Sequence, residues 1–539
     1  MCEALVPAPA APHDRHGRGP FRRRRAAALT VVSGAVFMAM LDNLAMNNAL
    51  PHIGADMQAG ISRLQWVVAG YTLVFAAGLL SGGLVAGRLG PRRAFCAGML
   101  LFCAGSAFGA FAGDWPRLVT GRLVQGLGAA VLLPAGTALL GHVFPEEKER
   151  ARALGVRGGA AGLGVALGPA VGGPLVEHVG WRSVLWINLP VGLLLLLLTP
   201  LLLPPVPSAR QSWDPAGQLL AAAGVGAFVF GLVQGPVDGW SATPVTGALV
   251  LAAVTLPAFV VVESLAVQPM LDLRQLRRRA YAASALSCFA SGFGLFGSTF
   301  FLTLYLQDVL GWSAGGAGLV FLAASAVIVP AAPLAGVLCA RSGPRLPLTT
   351  GLLLIAVSLA GLARYGRHAG FADYGWLLPV LGIATGLAFV PAVITAVQRS
   401  NTTGAAVGSA LMDSLRELGG VVGVAALGAV LIVRMRHALF DRAVLAGLPE
   451  SAAHALTHSA LARGPAASLS TAGSTVSART RTWVADSFIE GLHLCLLCGA
   501  ATVGCAALAV AFLLRDNHAT AASSLLVKQS ECSSIPEAP

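Results

Sequence analysis

Residues 83–92 read GLVAGRLGPR, and residues 336–345 read GVLCARSGPR. Both stretches follow the pattern G-x-[LV]-x-x-R-x-G-P-R, and each comes directly after a long apolar run. A tight basic turn between two helices could produce either stretch alone. The two stretches align over ten positions and have the same glycine, proline and arginine residues at the fixed positions of the pattern. We therefore interpret them as an internal repeat. The repeat predicts a chain built from two related halves.

The composition around this repeat is that of a protein that crosses a membrane many times. Of the 539 residues, 56% are apolar and only 11% are charged, and the mean hydropathy is +0.74. A soluble domain carries about 25% charged residues, and a disordered chain combines low hydropathy with high net charge, so both classes are excluded. The net charge of +12 comes mainly from arginines in short polar connections, and we expect no nucleic-acid binding.

Fourteen apolar segments reach the length of about 20 residues that a helix needs to cross a bilayer. The repeated motif follows the second and the tenth segment, and this even offset gives both halves the same orientation. The sequence therefore predicts an all-α polytopic membrane protein with two pseudo-symmetric six-helix bundles and a two-helix insertion between them. The predicted spans are residues 27–50, 63–83, 95–113, 117–141, 157–177, 183–204, 216–234, 244–264, 281–306, 315–339, 347–364, 375–397, 405–433 and 488–514.

The lysine and arginine distribution predicts that both termini are cytoplasmic. With that orientation, 23 of these residues lie in inside segments and five lie in short outside loops, as expected of cytoplasmic connections. The first span is too long for the apolar part of a signal peptide, so we interpret it as a retained helix. The predicted divisions are a basic N-terminal tail (1–26), an N-terminal bundle (27–204), an insertion (205–265), a C-terminal bundle (281–514) with a flexible extracellular loop at 434–485, and a cytoplasmic C-terminal tail (515–539).

Several motifs, in order along most of the chain, resemble the 14-helix drug:proton antiporter family of the major facilitator superfamily. Span 1 ends in LDNLAMNNALP at residues 41–51, which is similar to the family's L-D-x-T-x-V-N-x-A-L-P. Span 4 holds GRLVQGLGAA at residues 121–130, which matches R-x-x-Q-G-x-G-A-A. The other matches are G-x3-G-P-x2-G-G at 164–173, INLPVG at 187–192 and RELGG at 416–420.

The glycine pattern of span 5 is the most specific of these motifs. Gly164, Gly168 and Gly172 are four residues apart, so they form one stripe of a helix on which another helix can approach closely. Pro169 inserts a bend into that stripe. By resemblance, these residues and Gly173 form the exporter motif that seals the interface between the halves. Generic close packing of small residues is the alternative.

Charges inside the spans are costly and are therefore functional candidates. Arg122 in span 4 always carries its proton, so it needs polar partners such as Gln125 or a carboxylate. Asp42 in span 1 is the leading proton carrier, because removal from water disfavours the charged form of a carboxyl group. By resemblance, Arg122 couples proton movement to the conformational cycle. A purely structural arginine and an interfacial carboxylate that never titrates remain the alternatives.

Span 13 carries a second group of charges. Asp413 and Glu417 are four residues apart and share a helix face, with Arg416 beside them. The family more often has Asn and Gln at the two acidic positions. The two acids could bind a cationic substrate, provide a second site of proton coupling, or only neutralise Arg416.

The resemblance also implies a cytoplasmic gate and a substrate cavity. Two departures from the family pattern affect them: Gly87 replaces the usual acidic residue of the gate, and Leu44 replaces a threonine in the cavity wall. The gate residues are Gly83, Arg88, Gly90, Arg92 and Arg93. The cavity candidates are Asn47, Gln65, Trp66, Tyr71, Gln125, Tyr305 and Arg416.

The function implied by the resemblance is proton-driven efflux of an antibiotic or other amphipathic drug across the bacterial plasma membrane, for self-resistance or multidrug resistance. We expect a monomer without cofactor, metal or enzymatic activity. Proton-coupled uptake of a small nutrient and an integral membrane enzyme are the alternatives. Neither lysine follows a glycine as in a phosphate-binding loop, which excludes an ATP-driven pump for this chain alone. Cys495 and Cys498 have redox or metal spacing, but their apolar helix favours a packing role.

Overall fold

The computed structural model of the chain is helical in every regular element of the parts that it describes. These parts are residues 18–208, 214–266, 273–398, 405–470 and 476–515. Thirteen helices there are long and apolar enough to cross a membrane, and a bent helix of the second span, with a 59° break, brings the number to fourteen. The prediction of an all-α polytopic membrane protein is confirmed.

The helices follow one another with short connections. The N-terminal half contains α1 (Arg18–Met57), α2 (Ile61–Leu89), α3 (Pro91–Ala110), α4 (Trp115–Val143), α5 (Glu147–His178), α6 (Ser183–Trp186) and α7 (Asn188–Leu202). The insertion contains α8 (Pro215–Asp238) and α9 (Thr243–Leu265), and a short 3-10 helix (Leu273–Arg277) follows it. The C-terminal half contains α10 (Arg279–Leu304) with a π-helical turn (Tyr305–Val309), α11 (Ala314–Ser342), α12 (Arg345–Leu362), α13 (Phe371–Tyr374), α14 (Leu377–Gln398), α15 (Ala405–Leu445), α16 (Glu450–Ser470) and α17 (Val476–Leu513).

The repeated motif makes the same turn in both halves. Gly90 ends α2 with φ of 83°, and Gly343 ends α11 with φ of 73°. Glycine adopts this left-handed conformation without the steric cost that a side chain would impose. The proline that follows has no backbone N–H to leave unsatisfied, so it suits the start of the next helix. The motif therefore forms the same tight junction between two consecutive helices in each half.

The two halves also pack their helices in the same pattern. In the N-terminal half α1 packs on α5, and α3 packs on α4 and α7. The equivalent pairs in the C-terminal half are α10 on α15, and α12 on α14 and α17. The halves meet where α5 packs on α11 and α2 packs on α15, and these two contacts are also equivalent to each other. The predicted pseudo-symmetry is confirmed.

The inserted helices cover one of the two seams between the halves. Val229 and Val233 of α8 pack into a buried apolar cluster with residues of α2 and α15. The Ser62 hydroxyl donates to Gln234 Oε1 at 2.8 Å, and Gln218 Nε2 donates to the Ala77 carbonyl at 2.7 Å. These bonds attach α8 to α2 near both ends of α8. Because α9 packs on α8, the insertion lies outside the bundle as a pair.

Two predicted boundaries differ from the structure. The stretch predicted as a flexible loop at 434–485 is largely helical, because α15 continues to Leu445 and α16 follows it. The Ala, Ser and Thr residues of this stretch form no apolar stripe that would predict a helix. In the structure, however, Ala453, Thr457 and Ala460 form a small buried face of α16. In the predicted N-terminal tail, α1 already begins at Arg18, and residues 1–17 lie outside the described residues. The predicted C-terminal tail also lies outside them beyond residue 515.

Candidate functional site

A buried ion pair lies in the middle of the N-terminal half. Arg122 Nη1 is 2.6 Å from Asp42 Oδ2, and both side chains have no exposed surface. An isolated charge at such a place would be very unfavourable, so the two opposite charges stabilise each other. The pair joins α1 to α4, two helices that share few other contacts.

Neutral polar side chains complete the first site. Gln125 accepts a hydrogen bond from Arg122 Nη1 at 2.9 Å and donates one to Asp42 Oδ1 at 3.2 Å. Asn188 Nδ2 donates to Asp42 Oδ1 at 2.6 Å. The Ser106 hydroxyl accepts from both amides, at 3.1 and 3.0 Å. The Asp42 carboxylate is therefore held by α4 and α7 together, with α3 behind them.

Helix α2 closes the site from the other side. Arg122 Nε donates to the Val67 carbonyl at 3.2 Å, and its guanidinium lies 4.4 Å from the centre of the Tyr71 ring. A cation over an aromatic face is stabilised electrostatically, most strongly away from water. Sequence analysis named Arg122, Asp42, Gln125 and Tyr71, and the structure brings all four together. It missed Asn188 and Ser106, although a polar residue in an apolar run is a signal for such a role.

The glycine stripe of α5 packs against α1 within the same half. A Cβ atom added to Gly164 would lie 2.6 Å from the Phe37 carbonyl oxygen, and one added to Gly172 would lie 2.6 Å from the Ala45 Cβ. A Cβ atom added to Gly168 would lie 2.9 Å from the Leu44 Cβ. The end of the motif faces the other half instead. An added Cβ at Gly173 would meet the Ala314 carbonyl oxygen of α11 at 2.4 Å.

Pro169 belongs to this contact between the halves. Its carbonyl accepts a hydrogen bond from Asn48 Nδ2 at 3.0 Å and lies against Gly318 of α11. Gln307 Nε2 in turn donates to the Asn48 carbonyl at 3.1 Å. The motif predicted to seal the interface therefore packs in two places: Gly164, Gly168 and Gly172 bring α5 onto α1 of the same half, and Pro169 and Gly173 bring α5 onto α11 of the other half.

The charges of α15 separate into two environments. Arg416 Nη2 is 2.8 Å from Glu417 Oε1, and its guanidinium lies 4.6 Å from the Phe389 ring centre and 5.7 Å from that of Phe296. Within the described residues no basic nitrogen lies within 4 Å of Asp413. Of the two acids, only Glu417 neutralises Arg416 by direct contact.

The gate residues make their described contacts inside the N-terminal half. Arg92 Nη1 donates to the Leu203 carbonyl at 3.2 Å, where α7 ends. Gly83 faces Pro134 of α4. Arg88 and Arg93 are exposed, and Gly90 forms the left-handed turn.

The cavity candidates lie in different places. Asn47 lines a small cavity between the halves, and Gln65 Nε2 donates across the interface to the Val424 carbonyl at 2.6 Å. The Trp66 ring faces Phe230 of α8, with ring centres 6.0 Å apart. Tyr305 lines another cavity inside the C-terminal half, and its hydroxyl donates to the Gly366 carbonyl at 2.7 Å. Tyr71 and Gln125 belong to the buried site around Asp42.

Cys495 is buried in α17 and Cys498 is partly buried, and both are free thiols. Among the described residues, no three His, Cys, Asp or Glu side chains come together as metal ligands.

Comparison with known sequences gives consistent results. The family model described as Major Facilitator Superfamily matches residues 32–424. The chain is 36% identical over 397 residues to the multidrug resistance protein Stp of Mycobacterium tuberculosis, with 74% of each chain covered. It is 33% identical to the tetracenomycin C resistance and export protein of Streptomyces glaucescens, with 78% of each chain covered.

Among solved structures, the chain is similar to a bacterial homologue of the human lysosomal transporter Spinster in an inward-facing, unoccupied conformation. The TM-score is 0.66 at 16% sequence identity, with 93% of this chain and 98% of the other covered. At this identity the similarity concerns the fold.

Proposed function

The chain belongs to the Major Facilitator Superfamily, and we propose that it exports an antibiotic or another amphipathic drug from the cell in exchange for protons. Two relatives that share about a third of its residues are named for multidrug resistance and for antibiotic resistance and export. The buried pair of Asp42 and Arg122 supports the proton-coupled form of this proposal. The substrate crosses the membrane chemically unchanged.

Asp42 is the proposed proton carrier. Protonation would neutralise the carboxylate and weaken the charge-assisted hydrogen bonds that it accepts from Arg122, Gln125 and Asn188. Arg122 cannot lose its own proton, so it would be left as a buried charge without its counter-charge. The links from α1 to α4 and α7 would then loosen together. Proton binding would thereby favour another arrangement of these helices.

The free energy of breaking the ion pair, the free energy gained by proton movement and the free energy of a conformational shift are of similar size. Breaking a buried ion pair costs about 3–5 kcal/mol, and one charge that moves through a potential of about 100 mV gains about 2.3 kcal/mol. A shift of a two-state equilibrium from about 1:99 to 99:1 needs about 5.5 kcal/mol. Two protons that move through this potential gain about 4.6 kcal/mol, which supplies most of the free energy of such a shift.

We further propose that both termini are cytoplasmic, with α16 on the outer surface, and that the protein acts as a monomer in the bacterial plasma membrane. The lysine and arginine distribution supports this orientation. An epitope inserted after Gly447, an open turn between α15 and α16, should bind antibody on intact spheroplasts. Labelling that occurs only in everted vesicles would contradict this orientation and indicate the opposite one.

The first test of export is drug tolerance in a bacterial host that lacks its own exporters. Expression should raise the inhibitory concentration of at least one antibiotic, and a protonophore should restore drug accumulation in these cells. Unchanged tolerance to the whole panel, with the protein present in the membrane, would contradict drug export. Proton-dependent accumulation of a nutrient in the same cells would then favour uptake.

A further inference from the structure

The cavity between the halves is small and has a mixed lining. In this conformation it holds roughly one water molecule, so a drug can occupy it only after the halves separate. Most of its wall is apolar, and its polar groups come from both halves. The lining residues are Asn43, Leu44, Asn47, Val68, Ala69 and Thr72 of α1 and α2, and Phe296, Glu417, Gly420, Val421 and Val424 of α10 and α15.

Glu417 is the charged group of this lining. The residue is 1% exposed, and its Oε1 atom accepts from Arg416. Its Oε2 atom is buried and has no hydrogen-bond partner within the described residues. Leaving a buried carboxylate oxygen without a donor is unfavourable, and such groups in native proteins usually have a partner. Helix α15 therefore places a hydrogen-bond acceptor at the cavity wall, and none of the described residues donates to this acceptor.

Arg416 does not complete this arrangement, because its hydrogen bond to Glu417 goes to Oε1. It lies between Phe389 and Phe296 and reaches only Oε1 of Glu417. The facing basic residue of the other half, Arg157 of α5, interacts electrostatically with Asp413. Arg416 therefore balances the charge of Glu417 through Oε1, and Oε2 is left as a buried acceptor for which the described residues provide no donor.

A second unpartnered acceptor lines the same cavity from the opposite half. Asn47 Oδ1 of α1 is buried and has no hydrogen-bond partner in the described part of the chain. Phe296 adds an aromatic ring, which can stabilise a cation. Both acceptors need a donor, and a charged donor makes the stronger hydrogen bond to a carboxylate oxygen.

We propose that this cavity binds the protonated amine of the exported drug, with Glu417 and Asn47 accepting its N–H groups and Phe296 beside them. This inference rests on the proposed function and narrows it: the substrate class is amphipathic drugs that carry a protonated amine. The apolar wall formed by Leu44, Val68 and Val424 accommodates the rest of the molecule. Glu417 is thus assigned to the drug, and Asp42 to the proton.

The test uses pairs of compounds that differ only in the amine. Puromycin and doxorubicin are protonated at their amino groups, and their N-acetyl derivatives are neutral there. Binding to purified protein in lipid nanodiscs is measured for each pair, and export is measured in vesicles. The wild type should bind each amine at least about tenfold more tightly than its acetylated partner, and a tenfold ratio corresponds to about 1.4 kcal/mol.

Glu417→Gln should remove this preference, because the isosteric amide carries no charge. The variant should still export a neutral drug such as chloramphenicol if the wild type does, and Glu417→Asp should retain a preference for the amine. Asp114→Asn is the matched control, since it removes an exposed carboxylate at a helix N-terminus where Asn caps equally well. It should bind both members of each pair like the wild type.

Equal binding of amine and acetylated partner by the wild type would overturn the proposal, as would an unaltered preference in Glu417→Gln. Equal loss of cationic and neutral drug export in Glu417→Gln would also overturn it and make Glu417 a proton site or a structural group. If the wild type exports no compound, the proposed function fails, while the nanodisc binding ratio still decides whether the cavity selects amines.

Discussion

At the residue scale, the site around Asp42 shows which contacts a sequence can predict. Arg122 and Gln125 are one helical turn apart, so their contact follows from spacing alone. A carboxylate partner could be predicted because a buried arginine needs a carboxylate or polar acceptors, but the sequence did not identify Asp42 as that carboxylate. Asn188 and Ser106 come from helices whose positions depend on the packing of the whole half. Their polarity was visible in the sequence, but their pairing with Asp42 was not.

The number of bonds that Arg122 makes gives a prediction for its replacement. Lysine has a single nitrogen and cannot contact Asp42, Gln125 and the Val67 carbonyl in the way that the planar guanidinium does. Arg122→Lys should therefore lower the thermal unfolding temperature in detergent and abolish drug-dependent proton movement. We expect a loss of about 1–3 kcal/mol for the acceptors left without a donor.

Arg182→Lys provides the control for this change. Arg182 is 41% exposed and pairs with Asp56 at the surface, where ion pairs contribute about 0–1 kcal/mol. This variant should unfold and transport like the wild type. Equal effects of the two substitutions would show that the buried geometry of Arg122 has no special importance.

At the scale of elements, the glycine spacing predicted a close helix contact, and the structure identifies the neighbour. The stripe on α5 contacts α1, while Pro169 and Gly173 contact α11. The spacing shows which face of a helix the glycines occupy. It does not show which other helix packs on that face. The same reason explains why the place of α8 between α2 and α15 could not be predicted. For α16, the Ala, Ser and Thr content gave no periodic pattern that would distinguish helix from loop.

Two glycines of α5 give a matched pair for testing this contact. Gly172→Ala would place a methyl group 2.6 Å from the Ala45 Cβ, whereas the Cβ of Gly158→Ala would meet nothing within 4 Å. Overpacking costs about 1–3 kcal/mol, and alanine stabilises a helix by about 1 kcal/mol relative to glycine.

Gly172→Ala should consequently lower the thermal unfolding temperature, while Gly158→Ala should leave it unchanged or raise it slightly. Differential scanning fluorimetry of both purified variants measures this directly. A Gly172→Ala protein as stable as the wild type would mean that α5 and α1 are not packed as closely as described.

At the scale of the whole molecule, the repeated motif predicted more of the architecture than any other feature. The even offset between its two copies fixed the orientation of the halves, and the packing pairs repeat with the same offset. The contacts between the halves could not be predicted in the same way, because the motif does not show which helices of the two halves meet. In the structure, Gln65 donates to the Val424 carbonyl and Gln307 donates to the Asn48 carbonyl across the interface. The proposed proton site lies within one half, and the proposed amine site lies between the two.

The central claim is that Asp42 carries the proton that drives drug export. The most direct measurement uses everted membrane vesicles, acidified inside, with an acridine dye that reports the pH gradient. A drug found in the tolerance screen is added to vesicles that contain wild type, Asp42→Asn or the control Asp114→Asn. We predict drug-dependent collapse of the gradient with wild type and Asp114→Asn, and none with Asp42→Asn at equal protein level. Collapse by Asp42→Asn at the wild-type rate would contradict the assignment of the proton to Asp42, and no collapse by the wild type would contradict antiport itself.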